Sequence, residues 1–340
     1  MYHKKIDKKN ILVTGGVGSI GSVLVETLIN NYSPNQVRIF DNNETQLFEA
    51  VRKYEKSSRA RFMLGSVRDK DRVNWALKGV DTVFHCAALK HVALNEYSPF
   101  ESVKTNVIGT QNLIEAALSN NIETFVNIST DKAANPTSTM GASKLLAERL
   151  TVGADYFKGK GKTVFASVRF GNVLNSSGSV LPIFLDQIEK GQSITLTDRR
   201  MVRYFMTIEE AVSLILKASE IALGGEVFIL KMPALRISDL ADCLMRLKGI
   251  KVTIKEIGKR PGEKLFEKIV TRTEAEQALE LKEMYVLPPS IDYPGLSEDV
   301  INKSYQYYKK MGGKQVPSDG VKPDKLMKKD EIIKLLEKIV

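Results

Sequence analysis

A glycine-rich turn near the start of the chain most restricts what this sequence can fold into. An apolar run over residues 11–14 leads directly into Gly15, Gly18 and Gly21. Apolar residues then recur at helical spacing through residues 19–30. A strand, a G-x-x-G-x-x-G turn and a helix in this order bring backbone N–H groups close to a pyrophosphate. The segment therefore predicts a dinucleotide-binding unit.

An acidic residue at the end of the next strand supports this prediction. Asp41 follows Gly21 by twenty residues, where a carboxylate can accept hydrogen bonds from the ribose hydroxyls of adenosine. Residues 41–44 contain no Arg or Lys that could meet a 2′-phosphate. NAD is therefore favoured over NADP.

Strand-like and helix-like segments alternate along the first half of the chain. Such alternation is typical of right-handed βαβ units and a parallel sheet. The predicted class is α/β, a Rossmann-like doubly wound parallel sheet with a smaller mixed α/β substrate-binding domain. Predicted strands cover residues 11–14, 36–40, 61–64, 80–87, 124–128 and 163–168, and predicted helices cover 19–30, 45–56, 99–118 and 141–157.

The pattern loosens after about residue 170, which predicts a second unit. Residues 1–170 are predicted to form the NAD-binding domain, and 171–311 mainly a substrate-binding domain, with segments that can cross back. Residues 312–340 are predicted to be a basic linker and a C-terminal helix. Predicted elements in this half are helices at 180–190, 237–247 and 328–339 and strands at 193–196 and 227–230.

Composition and charge exclude several classes of protein. The 340 residues are 43% hydrophobic and 26% charged, as in ordinary globular chains. Of the net charge of +10, residues 1–10 carry +3 and residues 303–340 carry +5, so the body is close to neutral and no nucleic-acid-binding face is expected. No apolar run is long enough to span a membrane, and Cys86 and Cys243 cannot form a disulfide framework. We expect a cytoplasmic protein without an integral membrane segment.

Residues beyond the glycine turn extend the pattern to a known superfamily. Ala87 and Ala88 follow the fourth predicted strand, and residues 129–132 follow the fifth. Together with the glycine spacing, they resemble the extended short-chain dehydrogenases/reductases, in which a Tyr-x-x-x-Lys pair begins the next helix. Here Met140 stands at the tyrosine position and Lys144 at the lysine position. Methionine cannot take a proton, so the acid–base group must lie elsewhere.

Five longer motifs make the resemblance more specific. Over most of its length the chain is similar to the nucleotide-sugar 4,6-dehydratases that act on UDP-N-acetylglucosamine in polysaccharide and glycan biosynthesis. A subgroup of these enzymes carries methionine in place of the tyrosine. The resemblance also implies a homo-oligomer. The motifs are AALKHV (87–92), STDKAANP (129–136), RFGNV (169–173), RYFMT (203–207) and RPGEK (260–264).

The reaction implied by the resemblance is an internal oxidation and reduction. Hydride leaves sugar C4 for NAD+, water is lost across C5–C6, and the hydride returns to C6. Asp131 is implied as the acid for the C6 oxygen and Lys132 as the base at C5, while Lys144 holds the nicotinamide ribose. The group that deprotonates the 4-hydroxyl stays open among Thr130, Asp131 through a water molecule, and Lys132.

The resemblance also implies two sets of binding residues. Ser66 stands where relatives commonly have an Asp that contacts adenine, and its hydroxyl can accept one hydrogen bond. The cofactor would contact Gly15, Gly18, Ser19, Ile20, Gly21, Asp41, Asn42, Ser66, Val67, Ala87, Ala88 and Lys144. The UDP-sugar would contact Lys90, Asn172, Val173, Arg203, Arg260 and Glu263.

Two other functions stay open beside a dehydratase that forms a UDP-4-keto-6-deoxy-N-acetylhexosamine. A nucleotide-sugar 4-epimerase or reductase of the same fold would not need the Asp131–Lys132 pair, which the elimination requires. A catalytically silent NAD-binding scaffold is consistent with Met140 and the basic termini.

Overall fold

A ten-stranded sheet forms the centre of the computed structural model, which describes residues 5–176, 178–289 and 298–339. Its first six strands pair in parallel in the order β3-β2-β1-β4-β5-β6, which confirms the predicted doubly wound sheet. They are β1 (Asn10–Thr14), β2 (Gln36–Asp41), β3 (Ala60–Leu64), β4 (Thr82–His85), β5 (Thr124–Ile128) and β6 (Val164–Arg169).

Helices connect these strands. The helix predicted over residues 99–118 is present but contains a π-helical turn, Val103–Ile108. A short 3-10 turn, Asp131–Ala133, follows β5. The helices at Lys70–Leu77 and Val92–Tyr97 were not predicted from the sequence. The helices are α1 (Ser19–Asn31), α2 (Glu44–Lys53), α3 (Lys70–Leu77), α4 (Val92–Tyr97), α5 (Pro99–Ser102), α6 (Gly109–Ser119) and α7 (Thr139–Phe157).

The second half of the chain adds strands to the same sheet and builds two smaller sheets. The later strands are β7 (Asn172–Val173), β8 (Ile194–Leu196), β9 (Val202–Met206), β10 (Glu226–Leu230), β11 (Ala234–Arg236), β12 (Ile254–Glu256), β13 (Leu279–Glu280), β14 (Met284–Leu287) and β15 (Lys314–Gln315). The later helices are α8 (Val180–Glu189), α9 (Ile208–Ile221), α10 (Ile237–Lys248), α11 (Arg272–Ala275), α12 (Glu298–Lys310) and α13 (Lys329–Leu336).

Several segments of the second half of the chain join the main sheet. Strand β10 pairs in parallel with β6, and β14, β13 and β15 continue the main sheet antiparallel. Strands β7, β9 and β11 form a three-stranded sheet, and β8 pairs with β12. Residues 312–323, predicted as a linker, supply β15 and bury Val316. The domain boundaries themselves stay a prediction.

The last helix packs into the core of the second half. Ile332 and Leu336 of α13 are fully buried beside Leu240 and Leu244 of α10. Burying each such side chain contributes about 1.5–3 kcal/mol to stability. Helix α13 is therefore a part of the folded unit, although the segment before it carries several lysines.

Arg169, at the end of β6, is the centre of a buried ion-pair cluster. Its side chain is 1% exposed, and its Nη2 lies 2.7 Å from Glu148 Oε2 on α7 and 2.8 Å from Glu274 Oε1 on α11. Its Nη1 also donates to the carbonyl of Ile269, at 3.0 Å. The planar guanidinium can serve two carboxylates at once. Arg169 thus joins one strand and two helices that are far apart in sequence.

We expect Arg169→Met to lower the free energy of unfolding by about 3–5 kcal/mol, because two buried carboxylates lose their shared cation. Urea unfolding followed by circular dichroism measures this change. Lys190→Met, which removes an exposed ion pair with Asp186, is the control and should change stability by less than about 1 kcal/mol. Equal effects of the two variants would contradict the role given to Arg169.

Candidate active site

A cleft of about 920 Å³ opens at the carboxyl ends of the parallel strands. This edge of an open α/β sheet is where such folds bind ligands. Every residue that the sequence analysis assigned to cofactor, substrate or catalysis lines the cleft, with the exception of Asp131. The structure thus brings these residues together, while their individual roles stay predictions.

The glycine turn at one end of the cleft can be built only from glycines. Gly15 has φ +63°, and a Cβ there would lie 2.7 Å from the backbone nitrogen of Ala87. A Cβ on Gly21 would lie 2.1 Å from the carbonyl oxygen of Gly15. Helix α1 begins at Ser19, so its free N–H groups lie at this end of the cleft. The turn therefore has the form of a phosphate cradle.

Asp41 lies beside this cradle at the end of β2. Its Oδ2 accepts a hydrogen bond from the backbone N–H of Val17, at 3.2 Å, and its Oδ1 accepts from that of Asn43, at 3.0 Å. Arg68 also lines the cleft, but its guanidinium is engaged by Glu101 and Thr105. Asp41 therefore presents a fixed negative charge at the place predicted for the adenosine ribose.

Met140 and Lys144 lie one turn apart at the start of α7, as the spacing predicts. Both line the cleft and are almost fully buried. Burial lowers the pKa of Lys144 to about 8, while the charge of Glu148, one turn further along α7, acts in the opposite direction. The side chain of Lys144 in the cleft wall therefore loses its charge near pH 8, well below the usual range of a lysine.

Asn106, which the sequence analysis missed, fixes the start of α7. Its side-chain amide donates to Ser143 Oγ at 2.9 Å and to the carbonyl of Leu89 at 3.0 Å, and its Oδ1 accepts from the N–H of Leu89. It lies in the π-helical turn, a feature frequent at functional sites. The apolar pattern of a long helix does not reveal which turn will be π-helical.

The loop after β5 carries the residues predicted for acid–base chemistry. Lys132 Nζ donates to Asp131 Oδ1 at 2.9 Å and to Asn172 Oδ1 at 3.1 Å. Thr130 Oγ1 also donates to Asp131 Oδ1, at 3.0 Å. Thr130 and Lys132 line the cleft. Asp131 is fully buried behind them, and its Oδ2 has no hydrogen-bond partner among the described residues. Asp131 thus lies directly behind two cleft residues, and its role as the acid for the C6 oxygen stays a prediction.

Arg203 and Glu263 form the wall on the side of the second half. Arg203 is 5% exposed, and its Nη1 donates to the carbonyls of Val202 and Leu265, at 2.8 and 3.2 Å. Its Nη2 lies 3.7 Å from Glu263 Oε1, beyond hydrogen-bond distance. Arg260 is exposed, and its backbone N–H donates to Glu263 Oε2. Two guanidinium groups thus line the same part of the cleft.

Glu267 is a second cleft residue that the sequence analysis missed. It is 3% exposed and lines the cleft. Its Oε2 lies 2.5 Å from Lys264 Nζ. Burial and the charge of Asp131 raise the pKa of Glu267, while Lys132 and Lys264 oppose this increase. Nothing in the local stretch KLFEKIV distinguishes this glutamate from a surface charge.

His85 is a structural residue of β4. Its Nδ1 lies 2.8 Å from Thr14 Oγ1, and its Nε2 lies 3.0 Å from Thr110 Oγ1. Burial, with a smaller contribution from the charge of Lys144, lowers the pKa of His85 to about 3, so the ring is neutral at physiological pH. Burial also raises the pKa of the neighbouring Cys86 thiol to about 12. Neither residue is suited to proton transfer.

Among residues 5–176, 178–289 and 298–339, no group of three or more His, Cys, Asp or Glu side chains could hold a metal ion. No helix in the same part of the chain is long and apolar enough to cross a membrane.

Comparison with known proteins identifies the family. The chain matches the family described as "Polysaccharide biosynthesis protein" over residues 11–289. The chain belongs to this family. A relative from Methanocaldococcus jannaschii, named as an uncharacterized membrane protein, is 54% identical over 288 residues, 83% of this chain and 86% of the relative.

Two relatives with named activities and one solved structure are also similar. The UDP-N-acetylglucosamine 4,6-dehydratase (inverting) of Campylobacter jejuni is 39% identical over 294 residues, 86% of each chain. The UDP-glucose 4-epimerase of Rickettsia prowazekii is 37% identical over 283 residues, 82% of this chain and 83% of the relative. The structure of Pen from Bacillus thuringiensis has a TM-score of 0.89 at 38% identity and covers 99% of both chains.

The lowered pKa of Lys144 predicts a pH dependence of stability. The unfolded chain binds the Lys144 proton up to about pH 10.5, and the folded chain releases it near pH 8. Between these values the unfolded state binds more protons, so this residue makes the free energy of unfolding rise with pH. In Lys144→Met that contribution should be absent. Urea unfolding at pH 7.5 and 9.5 measures it, with the exposed Lys255→Met as the control for the loss of one charge.

Proposed function

We propose that the protein is an NAD-dependent nucleotide-sugar 4,6-dehydratase, a hydro-lyase that forms a UDP-4-keto-6-deoxy-N-acetylhexosamine from UDP-N-acetylglucosamine. The observation that carries the proposal is the Lys132 side-chain amine on the cleft surface, held by Asp131 and Asn172 at the end of β5. Elimination of water needs such a base, and a simple exchange of configuration at C4 does not. The 39% identity to the Campylobacter jejuni dehydratase supports the same conclusion.

The cleft fits a dinucleotide cofactor. Glycine at position 15 lets the turn pack directly against the backbone of Ala87, and the N-terminus of α1 and the Asp41 carboxylate line the cleft beside this turn. When bound, NAD supplies the reversible transfer of hydride to and from the sugar. Lys144 would hold the nicotinamide ribose, and its charge would favour release of the 4-hydroxyl proton to a neighbouring base.

Lys132 would act at C5 of the sugar. Oxidation of C4 to a ketone acidifies the neighbouring C5 proton, so an amine can remove it. The hydrogen bond to Asn172 Oδ1 directs Nζ, and the hydrogen bond to Asp131 gives the lysine proton a place to go before the reaction. The hydroxyl at C6 leaves as water once an acid has protonated it. Thr130 Oγ1, on the same loop, is a candidate for the 4-hydroxyl proton.

The wall formed by the second half of the chain would bind the UDP-sugar. Arg203 and Arg260 would meet the diphosphate, because a guanidinium can bind phosphate oxygens with two hydrogen bonds. Lys90, Val173 and Glu263 also line the cleft and would contact the sugar or nucleoside. We further propose that the protein is cytoplasmic, forms a homo-oligomer and serves the synthesis of a surface glycan or polysaccharide.

A nucleotide-sugar 4-epimerase is the second candidate. The observation in its favour is the 37% identity to the Rickettsia prowazekii UDP-glucose 4-epimerase. An epimerase would return hydride to C4 and leave C6 unchanged, so the product would keep the mass of the substrate. The two candidates therefore differ in one measurable property of the product.

We expect the purified protein to convert UDP-N-acetylglucosamine to a product lighter by one water, without net consumption of NAD. Lys132→Met should slow this loss about a hundred- to ten-thousand-fold, because the base at C5 is gone. Mass spectrometry of the product measures the rate, and Lys255→Met is the matched control on an exposed strand. If the wild type removes no water from any UDP-sugar, the proposal is wrong, and an epimer of unchanged mass would support the second candidate.

We expect Gly15→Ala to weaken NAD binding by roughly 10- to 100-fold, since the new Cβ adds both strain and a collision with Ala87. Gly79→Ala is the control. Gly79 has a similar φ, +67°, but a Cβ there meets nothing within 4 Å. Calorimetric titration of the cofactor-free proteins should therefore show a loss of affinity only for Gly15→Ala. Equal affinities would show that the turn is not the phosphate cradle.

A further inference from the structure

Lys264 is a cleft residue to which the function proposed above gives no task. It lies in the segment 260–265, in which Arg260 and Glu263 also line the cleft. Only 21% of the Lys264 side chain is exposed, and its Nζ lies 2.5 Å from Glu267 Oε2. This contact holds the ammonium against the protein, so Lys264 is not a free cation for a diphosphate.

The other contacts of Lys264 are with the turn at residues 133–138, which joins Lys132 to helix α7. Nζ donates to the carbonyl of Asn135 at 3.0 Å and lies 3.4 Å from the carbonyl of Ala134. Asn135 has φ +53°, a left-handed conformation that asparagine adopts more readily than most residues. One ammonium thus meets two consecutive carbonyls of a tightly folded turn.

A second hydrogen bond joins the same two parts of the chain. Thr137 Oγ1 donates to the carbonyl of Gly262, at 2.7 Å. Gly262 has φ +75°, and a Cβ there would lie 2.8 Å from the carbonyl oxygen of Thr137 and 3.1 Å from the Cβ of Ser138. The glycine backbone therefore packs directly on the turn. A displacement of segment 260–265 would displace the turn with it.

Segment 260–265 is also attached to the wall that carries Arg203. The carbonyl of Leu265 accepts hydrogen bonds from the backbone N–H of Val202, at 2.8 Å, and from Arg203 Nη1, at 3.2 Å. Arg203 and Arg260 are the two guanidinium groups proposed for the diphosphate. The segment therefore lies between the proposed diphosphate site and the turn after Lys132, with hydrogen bonds to both.

Helix α7 supports the other side of Lys132. A Cβ on Gly141, in the first turn of α7, would lie 2.5 Å from the carbonyl oxygen of Lys132. The backbone of Lys132 is thus held by α7 on one side and, through the turn, by Lys264 on the other. Without the second support, the direction of the Lys132 side chain is less well defined.

We propose that Lys264 is a positioning residue that couples diphosphate binding at Arg203 and Arg260 to the placement of the Lys132 amine, an inference that rests on the proposed dehydratase function. Contacts of the arginines with the diphosphate fix segment 260–265, and Lys264 passes this constraint to the turn. Binding energy from the nucleotide, which takes no part in the chemistry, is thereby used to hold the base at C5.

We expect Lys264→Met to lower kcat for water loss about 10- to 100-fold and to keep the affinity for UDP within about threefold of the wild type. The substrate still binds at the arginines, but the base is poorly placed. Lys264→Arg keeps the cation and its donors and should recover most of kcat. Lys255→Met, exposed on β12, is the control for the loss of one positive charge. Mass spectrometry of the product gives kcat, and calorimetric titration with UDP gives the affinity.

Hydrogen exchange separates this coupling from a general loss of stability. Residues 133–135 do not line the cleft, so UDP can slow the exchange of their amides only through the protein. In the wild type, UDP should slow exchange both there and in segment 260–265. In Lys264→Met, UDP should still protect segment 260–265 but no longer residues 133–135. Mass spectrometry of peptic peptides, with and without saturating UDP, measures both regions.

Three results would overturn the proposal. The first is a Lys264→Met protein with the kcat of the wild type. The second is a UDP affinity that falls as far as kcat, which would make Lys264 a contact of the nucleotide itself. The third is equal protection of residues 133–135 by UDP in both proteins.

A second variant covers the case in which Lys264→Met does not fold. Thr137→Val removes only the hydrogen bond to the Gly262 carbonyl and should show the same pattern with a smaller loss of kcat. A wild type that binds UDP but removes no water would overturn the dehydratase function, and the exchange experiment alone would then decide the coupling. A wild type that binds no UDP would overturn both.

Discussion

The buried cluster around Arg169 determines where the two sides of the site lie relative to each other. Its guanidinium binds Glu148 on α7 and Glu274 on α11 at 2.7 and 2.8 Å. Lys144 lies one turn before Glu148 on α7. The cluster that holds Glu148 therefore also fixes the position of the proposed ribose-binding lysine. Charges buried this deeply are stable only while all their partners are present. The cleft can therefore keep its shape only if this cluster forms.

Local patterns in the sequence predicted most of the first half of the fold. Strand β5 (Thr124–Ile128) was predicted with its observed bounds, because four of its five residues are β-branched or aromatic and a polar segment follows. Helix α9 was missed although its capping box, Thr207 and Glu210, is present in the sequence. Strands β13 and β15 have two residues each and exist only through pairing with distant segments. No local pattern encodes such strands.

Chain topology places most of the residues predicted for the site in one cleft. Residues that follow parallel strands meet at one edge of the sheet, which brought Asp41, Ala87 and Thr130 to the same cleft. Topology does not decide where a side chain points. Asp131 turns inward because its Oδ1 accepts hydrogen bonds from both of its neighbours, and Glu267 reaches the cleft through its contact with Lys264. Both facts depend on side-chain contacts that residue spacing does not contain.

The distances between charged groups distinguish the cations that would bind from those that would react. Arg203 Nη2 lies 3.7 Å from Glu263, so Nη2 can donate to a diphosphate without giving up a hydrogen bond to that glutamate. Lys132 and Lys264 contact their carboxylates at 2.9 and 2.5 Å, and a phosphate there would have to displace a close partner. The diphosphate is therefore favoured at the arginine wall. Under the proposed function, the uncharged sugar would lie beside Lys132, where proton transfer and not charge neutralisation is required.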